Sequence, residues 1–133
     1  MAVKYNEKIW ANIKREVRKE IFKLTEGVKK EATDLVLTSG KTGRTYRRNG
    51  VEHQASAPGE PFASDTGTTL SQFRTETRDS GFTGAFVAGG ENARRLELGT
   101  SKMDARPFAR PALANQKKEI EQGLKDAVKR GAR

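Results

Sequence analysis

Apolar residues recur at spacings of three and four from Trp10 through Ile13, Val17, Ile21, Leu24, Val28 and Ala32 to Leu35, which predicts one long helix over residues ~6–36. Asn6 is placed to cap its start, Glu26 and Lys30 stand at the favourable i,i+4 spacing, and Ser39-Gly40 marks its end. At ~30 residues such a helix is ~45 Å long, longer than a domain of this size is wide. Its central turns are expected on the chain's own sheet, with one end projecting or packed on a neighbour.

The periodicity then changes. Thr42 to Arg48 and Val51 to Ser56 flank Asn49-Gly50, a dipeptide that suits the two positive-φ positions of a type I′ turn, so a hairpin is predicted. Residues 57–69 hold two prolines, two glycines and one large apolar side chain, Phe62, and predict a long loop. Leu70 to Arg78 alternates imperfectly, and Phe82 to Ala88 follows the turn Asp79-Ser80-Gly81. A second hairpin is expected, joined with the first in one antiparallel sheet. Gly89-Gly90 breaks the pattern, and Asn92 to Leu98 predicts a short helix closed by Gly99. Phe108, Ala112, Leu113, Ile120, Leu124, Ala127 and Val128 mark a C-terminal helix with one apolar face. Pro107 and Pro111 each suit a first helical position; Pro111 is preferred, because a helix starting at Pro107 would carry Pro111 inside it. Residues 129–133 read as a frayed tail. The expected fold class is therefore α+β in a single domain of 133 residues: a long helix in 1–38, hairpins and loop in 41–90, then a turn and helix in 91–133.

Composition narrows what such a chain does. Only 34% of residues are hydrophobic while 32% are charged, so the core is lean and partner subunits are expected to cover part of the apolar surface. No cysteine is present, which removes disulfides and thiolate metal sites. No apolar run approaches the ~18 residues that span a bilayer, and the first eight residues are charged where a signal peptide would be apolar; neither membrane insertion nor secretion is expected. The net charge of +9 permits contact with polyanions. Its excess lies in both terminal helices and the first hairpin, a spread that suits a solvated surface better than a face that reads bases.

Catalytic chemistry finds little footing. Gly40-Lys41-Thr42 has the ending of a phosphate-binding loop, but Leu35 stands where the loop needs its first glycine. His53 is the only histidine, and its neighbour Glu52 points to the other face of a strand. Glu60, Asp65, Glu91, Glu97 and Asp104 sit in turns and loops with no spacing that pairs an acid with a base. No catalytic residue, metal ligand or cofactor is predicted. Nucleic-acid binding keeps a place as the alternative: Lys14 with Arg18 and Lys125 with Lys129 share helical faces, and Tyr46 lies among Arg44, Arg47 and Arg48.

Six short segments carry a resemblance. They are Gly43 to Tyr46; His53; Ala55-Ser56-Ala57-Pro58-Gly59-Glu60-Pro61; Asp65-Thr66-Gly67 with Leu70; Glu97-Leu98-Gly99-Thr100; and Ala105-Arg106-Pro107-Phe108-Ala109-Arg110-Pro111-Ala112. Across residues 41–113 the chain resembles the head-to-tail joining proteins of long-tailed double-stranded DNA bacteriophages, also called neck or tail-completion proteins. Phe62 stands where that family commonly has a further proline, and Thr68-Thr69 puts one residue more than usual before Leu70. The resemblance implies a structural virion protein made in the host cytoplasm that forms a homo-oligomeric ring at the head-to-tail junction. Six copies are expected, with twelve as the alternative. Its implied partners are portal, adaptor or head-completion proteins on one side and tail-terminator or tail-tube proteins on the other, with double-stranded DNA passing through the channel. A tail-terminator ring is the nearest alternative.

A closed ring needs two unlike surfaces on each subunit. The segments expected to supply them are the loop residues Ser56, Pro58, Gly59, Glu60, Pro61, Phe62, Asp65, Thr66 and Gly67, and the later residues Glu97, Gly99, Thr100, Arg106, Pro107, Phe108, Arg110 and Pro111. Arg106 and Arg110 are expected to pair with a neighbour's carboxylates, the alternative for each being a bond within its own chain.

Overall fold

The structure, a computed structural model, describes residues 6–64 and 67–133. The chain runs α1 (Glu7–Thr38), β1 (Thr45–Arg48), β2 (Val51–Gln54), α2 (Thr68–Ser71), β3 (Arg74–Arg78), a 3-10 turn (Asp79–Gly81), β4 (Thr83–Val87), α3 (Gly90–Leu98) and α4 (Ala109–Gly131). It is a mixed helix and sheet fold, with the long helices at the two ends of the chain. Among the described residues no helix is long and apolar enough to cross a membrane.

Helix α1 begins where Asn6 Oδ1 accepts the Ile9 amide at 3.1 Å. It ends at Ser39, where the backbone becomes extended and Lys41 Nζ donates to the Leu35 carbonyl at 3.3 Å and the Ser39 hydroxyl at 2.8 Å. Partial burial holds the Lys41 ammonium below its ordinary pKa, partly offset by the Glu60 charge. The expected Glu26–Lys30 pair does not form. Lys30 instead bonds Asp34 one turn onward at 2.9 Å, and Glu26 accepts the Thr75 hydroxyl from β3.

Helix α4 returns antiparallel along α1. A Cβ on Gly131 would fall 2.4 Å from Ile13 Cα, one on Gly123 would meet Glu20 and Leu24, and Gly27 faces Gln116 at 3.5 Å. These contacts step by seven or eight residues on each helix, the repeat of a continuous seam. Ala32, Ala112 and Ala127, each 0% exposed, fill it. Buried Glu20 accepts from Arg130 Nη2 at 3.2 Å, closing the far end. Residues 129–131 are thus helical, not the frayed tail the sequence suggests: Lys129 and Arg130 stay exposed, but Gly131 is buried where it lets the α4 backbone rest on α1.

The start of α4 also differs from both sequence-based alternatives. Phe108 is the N-cap and Pro111 the third helical residue. A proline is tolerated there because amides of the first turn have no carbonyl partner inside the helix; the ladder begins with Ala112 N to Phe108 O at 3.2 Å.

Both hairpins form, with Asn49 (φ 53°) and Gly50 (φ 78°) making the first turn. They do not join. The chain holds two separate two-stranded sheets, β1–β2 and β3–β4, not one sheet. Residues after β2 turn inward to bury Ser56 and Phe62, and the solvent face of β3 carries Arg74, Glu76 and Arg78, bonded to one another along the strand. The predicted strand from Leu70 is likewise shorter. Gly67 in the left-handed region starts the helical turn α2, and only from Arg74 is the chain extended.

The core gathers where these elements meet. Phe108 stacks on Phe73 at 5.4 Å between ring centres, Phe62 meets Phe108 edge-on at 5.0 Å, and Phe86 meets Phe73 edge-on at 5.1 Å. Val28, Ala32, Val36, Ala93 and Ala112 surround these rings.

Gly84 fixes how β4 crosses α1. A Cβ there would lie 1.8 Å from Thr25 Oγ1. Gly84→Ala is expected to cost about 1–3 kcal/mol by overpacking, read as a lower denaturation midpoint with unchanged slope. Thr25→Ala in the same chain should restore most of that loss, and an equal loss in both backgrounds would contradict the crossing.

Candidate functional site

Three of the segments singled out in the sequence, 55–61, 97–100 and 105–112, meet at the head of α4. Two carboxylates hold them. Glu60 bonds the Thr42 amide at 3.2 and 3.1 Å through its two oxygens, the Thr42 hydroxyl at 2.5 Å and the Ala57 amide at 3.0 Å, which ties the loop to the foot of the first hairpin. Glu97, in the last turn of α3, accepts the amides of Phe108 at 2.7 Å, Ala109 at 3.0 Å and Arg110 at 2.9 Å. It therefore caps α4 from another helix, placing negative charge where the dipole of α4 favours it.

Backbone bonds finish the knot. Gly59 N donates to Ala105 O at 2.9 Å and Arg106 N to Leu96 O at 2.6 Å, while Thr100 and Met103 pair across a tight turn. Arg106 Nε donates to Ser56 O at 3.2 Å and Nη1 to Asp104 O at 3.2 Å. The guanidinium is thus held within its own chain, the second of the two readings the sequence left for it.

The expected interface residues separate into three groups. Ser56, Phe62 and Phe108 are buried in the interior, so they shape the subunit rather than its surface. Glu60, Pro61, Gly67, Glu97, Gly99, Arg106, Pro107 and Pro111 are half-buried around the knot, and Pro58, Gly59, Thr100 and Arg110 are exposed. Asp65 and Thr66 lie outside the described residues. Arg110 has no ion pair among the described residues, so of the two arginines it is the one left for a neighbour.

His53 stacks on Tyr46 across the first hairpin at 5.5 Å, and no group of three or more metal-ligand side chains occurs among the described residues. Reading the sequence missed two features. One is the capping role of Glu97, for which the sequence carries no local signal. The other is an apolar groove between α1, β4 and α4, whose lining comes from three distant stretches. Compared with protein-family models, curated proteins and solved structures, the chain matches none.

Glu97→Ala is expected to destabilise the protein by about 1 kcal/mol and to speed amide exchange at Phe108, Ala109 and Arg110 specifically. Uniform exchange along α4 would show that Glu97 is not its cap. The Glu60 carboxyl is held below its ordinary pKa, foremost by the Thr42 hydroxyl and further by the Ala57 and Thr42 amides and the Lys41 charge, against some desolvation. A folded pKa below the unfolded one stabilises fully above the unfolded value, and the gain is lost as pH falls through the folded value. Thermal melts from neutral to acid pH should therefore show a shallower acid-side decline in Glu60→Gln than in the parent; parallel curves would contradict the clamp.

Proposed function

We propose that the chain is a structural virion subunit that forms a ring at the head-to-tail junction of a tailed phage or phage-like particle. It joins the portal or adaptor to the tail tube and performs no reaction. The observation that carries this reading is that three of the segments resembling the joining proteins, 55–61, 97–100 and 105–112, are bonded into one knot through Arg106 and Glu97, with Gly43 tied to it through the Ala55 carbonyl.

On this reading the exposed side of the knot, with Pro58, Gly59, Thr100 and Arg110, meets the next copy head to tail. Six subunits close the ring, twelve being the alternative, and DNA passes through it. A second reading rests on the β1–β2 hairpin, where the Tyr46–His53 stack lies among Arg44, Arg47 and Arg48. It makes the protein a weak, sequence-independent polyanion binder whose affinity falls steeply with added salt. Binding to DNA that persists at physiological salt would favour that second reading.

Deletion of the gene from its particle is expected to leave filled heads and separately formed tails that fail to join, seen by electron microscopy of the lysate. Normal infectious particles would sink the assignment. Arg110→Ala should leave the melting temperature of the isolated subunit unchanged while lowering the yield of joined particles. Arg106→Ala should instead destabilise the subunit by about 1 kcal/mol, since its bonds are internal and half-exposed.

A further inference from the structure

The groove between α1, β4 and α4 has a volume of about 460 Å³. Ile21 and Leu24 form its floor, Phe82 and Phe86 one wall, and Leu113 and Leu124 the other. At its lips Phe82 is 40% and Leu113 56% exposed. Its most telling side is made of backbone. β3 lines no part of the groove and reaches α1 on the far side, through Thr75 and Glu26, so β4 is the strand beside the groove. The backbone of β4 pairs with β3 alone, and its other edge makes no backbone hydrogen bond among the described residues.

The two strands of this sheet differ in how they meet solvent. β3 reads Arg-Thr-Glu-Thr-Arg, with its charged side chains bonded along the strand, the kind of sequence that keeps a free edge from pairing. β4 reads Thr-Gly-Ala-Phe-Val, with no charge and no proline, and faces apolar ground. A strand laid along β4 would complete the ladder and send alternate side chains onto Ile21 and Leu24.

Charge selects what lies there. Arg18, its guanidinium 4.7 Å from the Phe82 ring centre, and Arg110 stand at the lips, and neither has an ion pair among the described residues. Helical spacing from Leu113 puts Lys117 on the same side of α4, with Glu121 beside it as the opposing carboxylate. The chain as a whole carries +9, which disfavours a second copy in this place.

We propose that β4 accepts a third strand from an acidic partner protein: an extended segment, apolar at alternate positions toward α1, with carboxylates that meet Arg18 and Arg110. The five residues of β4 offer a slot of roughly 17 Å. The reading stands whichever assembly the chain serves.

A random library of peptides roughly twelve residues long, enough to overrun that slot at ~3.3 Å per residue, tests it when selected on the full chain. Selected peptides should converge on alternating apolar and Asp or Glu residues, and should slow amide exchange in Thr83–Val87. N-methylation of alternate peptide amides should abolish binding on one phase of the alternation and spare it on the other. Leu113→Ser, at an exposed lip where folding is easily verified by circular dichroism, should weaken binding about tenfold. Helical spacing in the selected peptides, a basic consensus, a footprint away from β4, or no enrichment would each overturn the proposal. So would concentration-dependent protection of β4 in the free chain, which would assign the slot to a second copy.

Discussion

Backbone-close contact between α1 and α4 is the constraint from which the rest of the molecule follows. Gly131 against Ile13, Gly123 against Glu20 and the fully buried Ala32, Ala112 and Ala127 allow the two helices to approach without large side chains between them. A lean core becomes sufficient, because much of the burial is helix against helix. The narrow seam also leaves the larger apolar residues of both helices beside it, where Phe73, Phe86 and the β3–β4 sheet cover one stretch and the groove remains open along another.

The head of α4 is held by a carboxylate as well as by the buried ring of Phe108. Its first turn contains a proline and lacks a capping side chain of its own, yet three consecutive amides converge on Glu97. Glu60 does comparable work for the loop and the first hairpin. One carboxylate from the Pro/Gly-rich loop and one from the last turn of α3 thereby tie the loop and the head of α4 in place, and Phe62 and Phe108 are buried in the core. Of the residues expected at an interface, Ser56, Phe62 and Phe108 are buried, and Glu60, Glu97 and Arg106 bond within the chain.

The long helix and both turns were legible because their signals are local: eight apolar residues at helical spacing, and Asn-Gly between extended runs. Local signals do not say which strands share a sheet, so the single sheet expected from the sequence is in space two separate hairpins. Phe62 carries no periodicity, being a single aromatic after a proline, while Phe108 heads the apolar face read for α4; the burial of both depends on partners more than ten residues away. Of the candidate site, the contiguous segments were visible; the bond from Glu97 to α4 and the fate of Arg106 were not, because both depend on how α3 and the loop fold back.

A subunit shaped in this way offers its exposed knot to the next copy and, bordering the knot at Arg110, an open apolar groove with an unpaired strand edge to a partner of another kind; the surface that receives the knot in a head-to-tail ring is a different one. For the ring proposed at a virion neck, cryo-electron microscopy is the most direct test. The account predicts a ring of repeated antiparallel α1–α4 pairs around the DNA channel between portal and tail tube, each subunit meeting the next through unlike faces with Arg110 at the contact. A neck in which no ring fits this chain, or one built from two-fold pairs that use the same face twice, would contradict it.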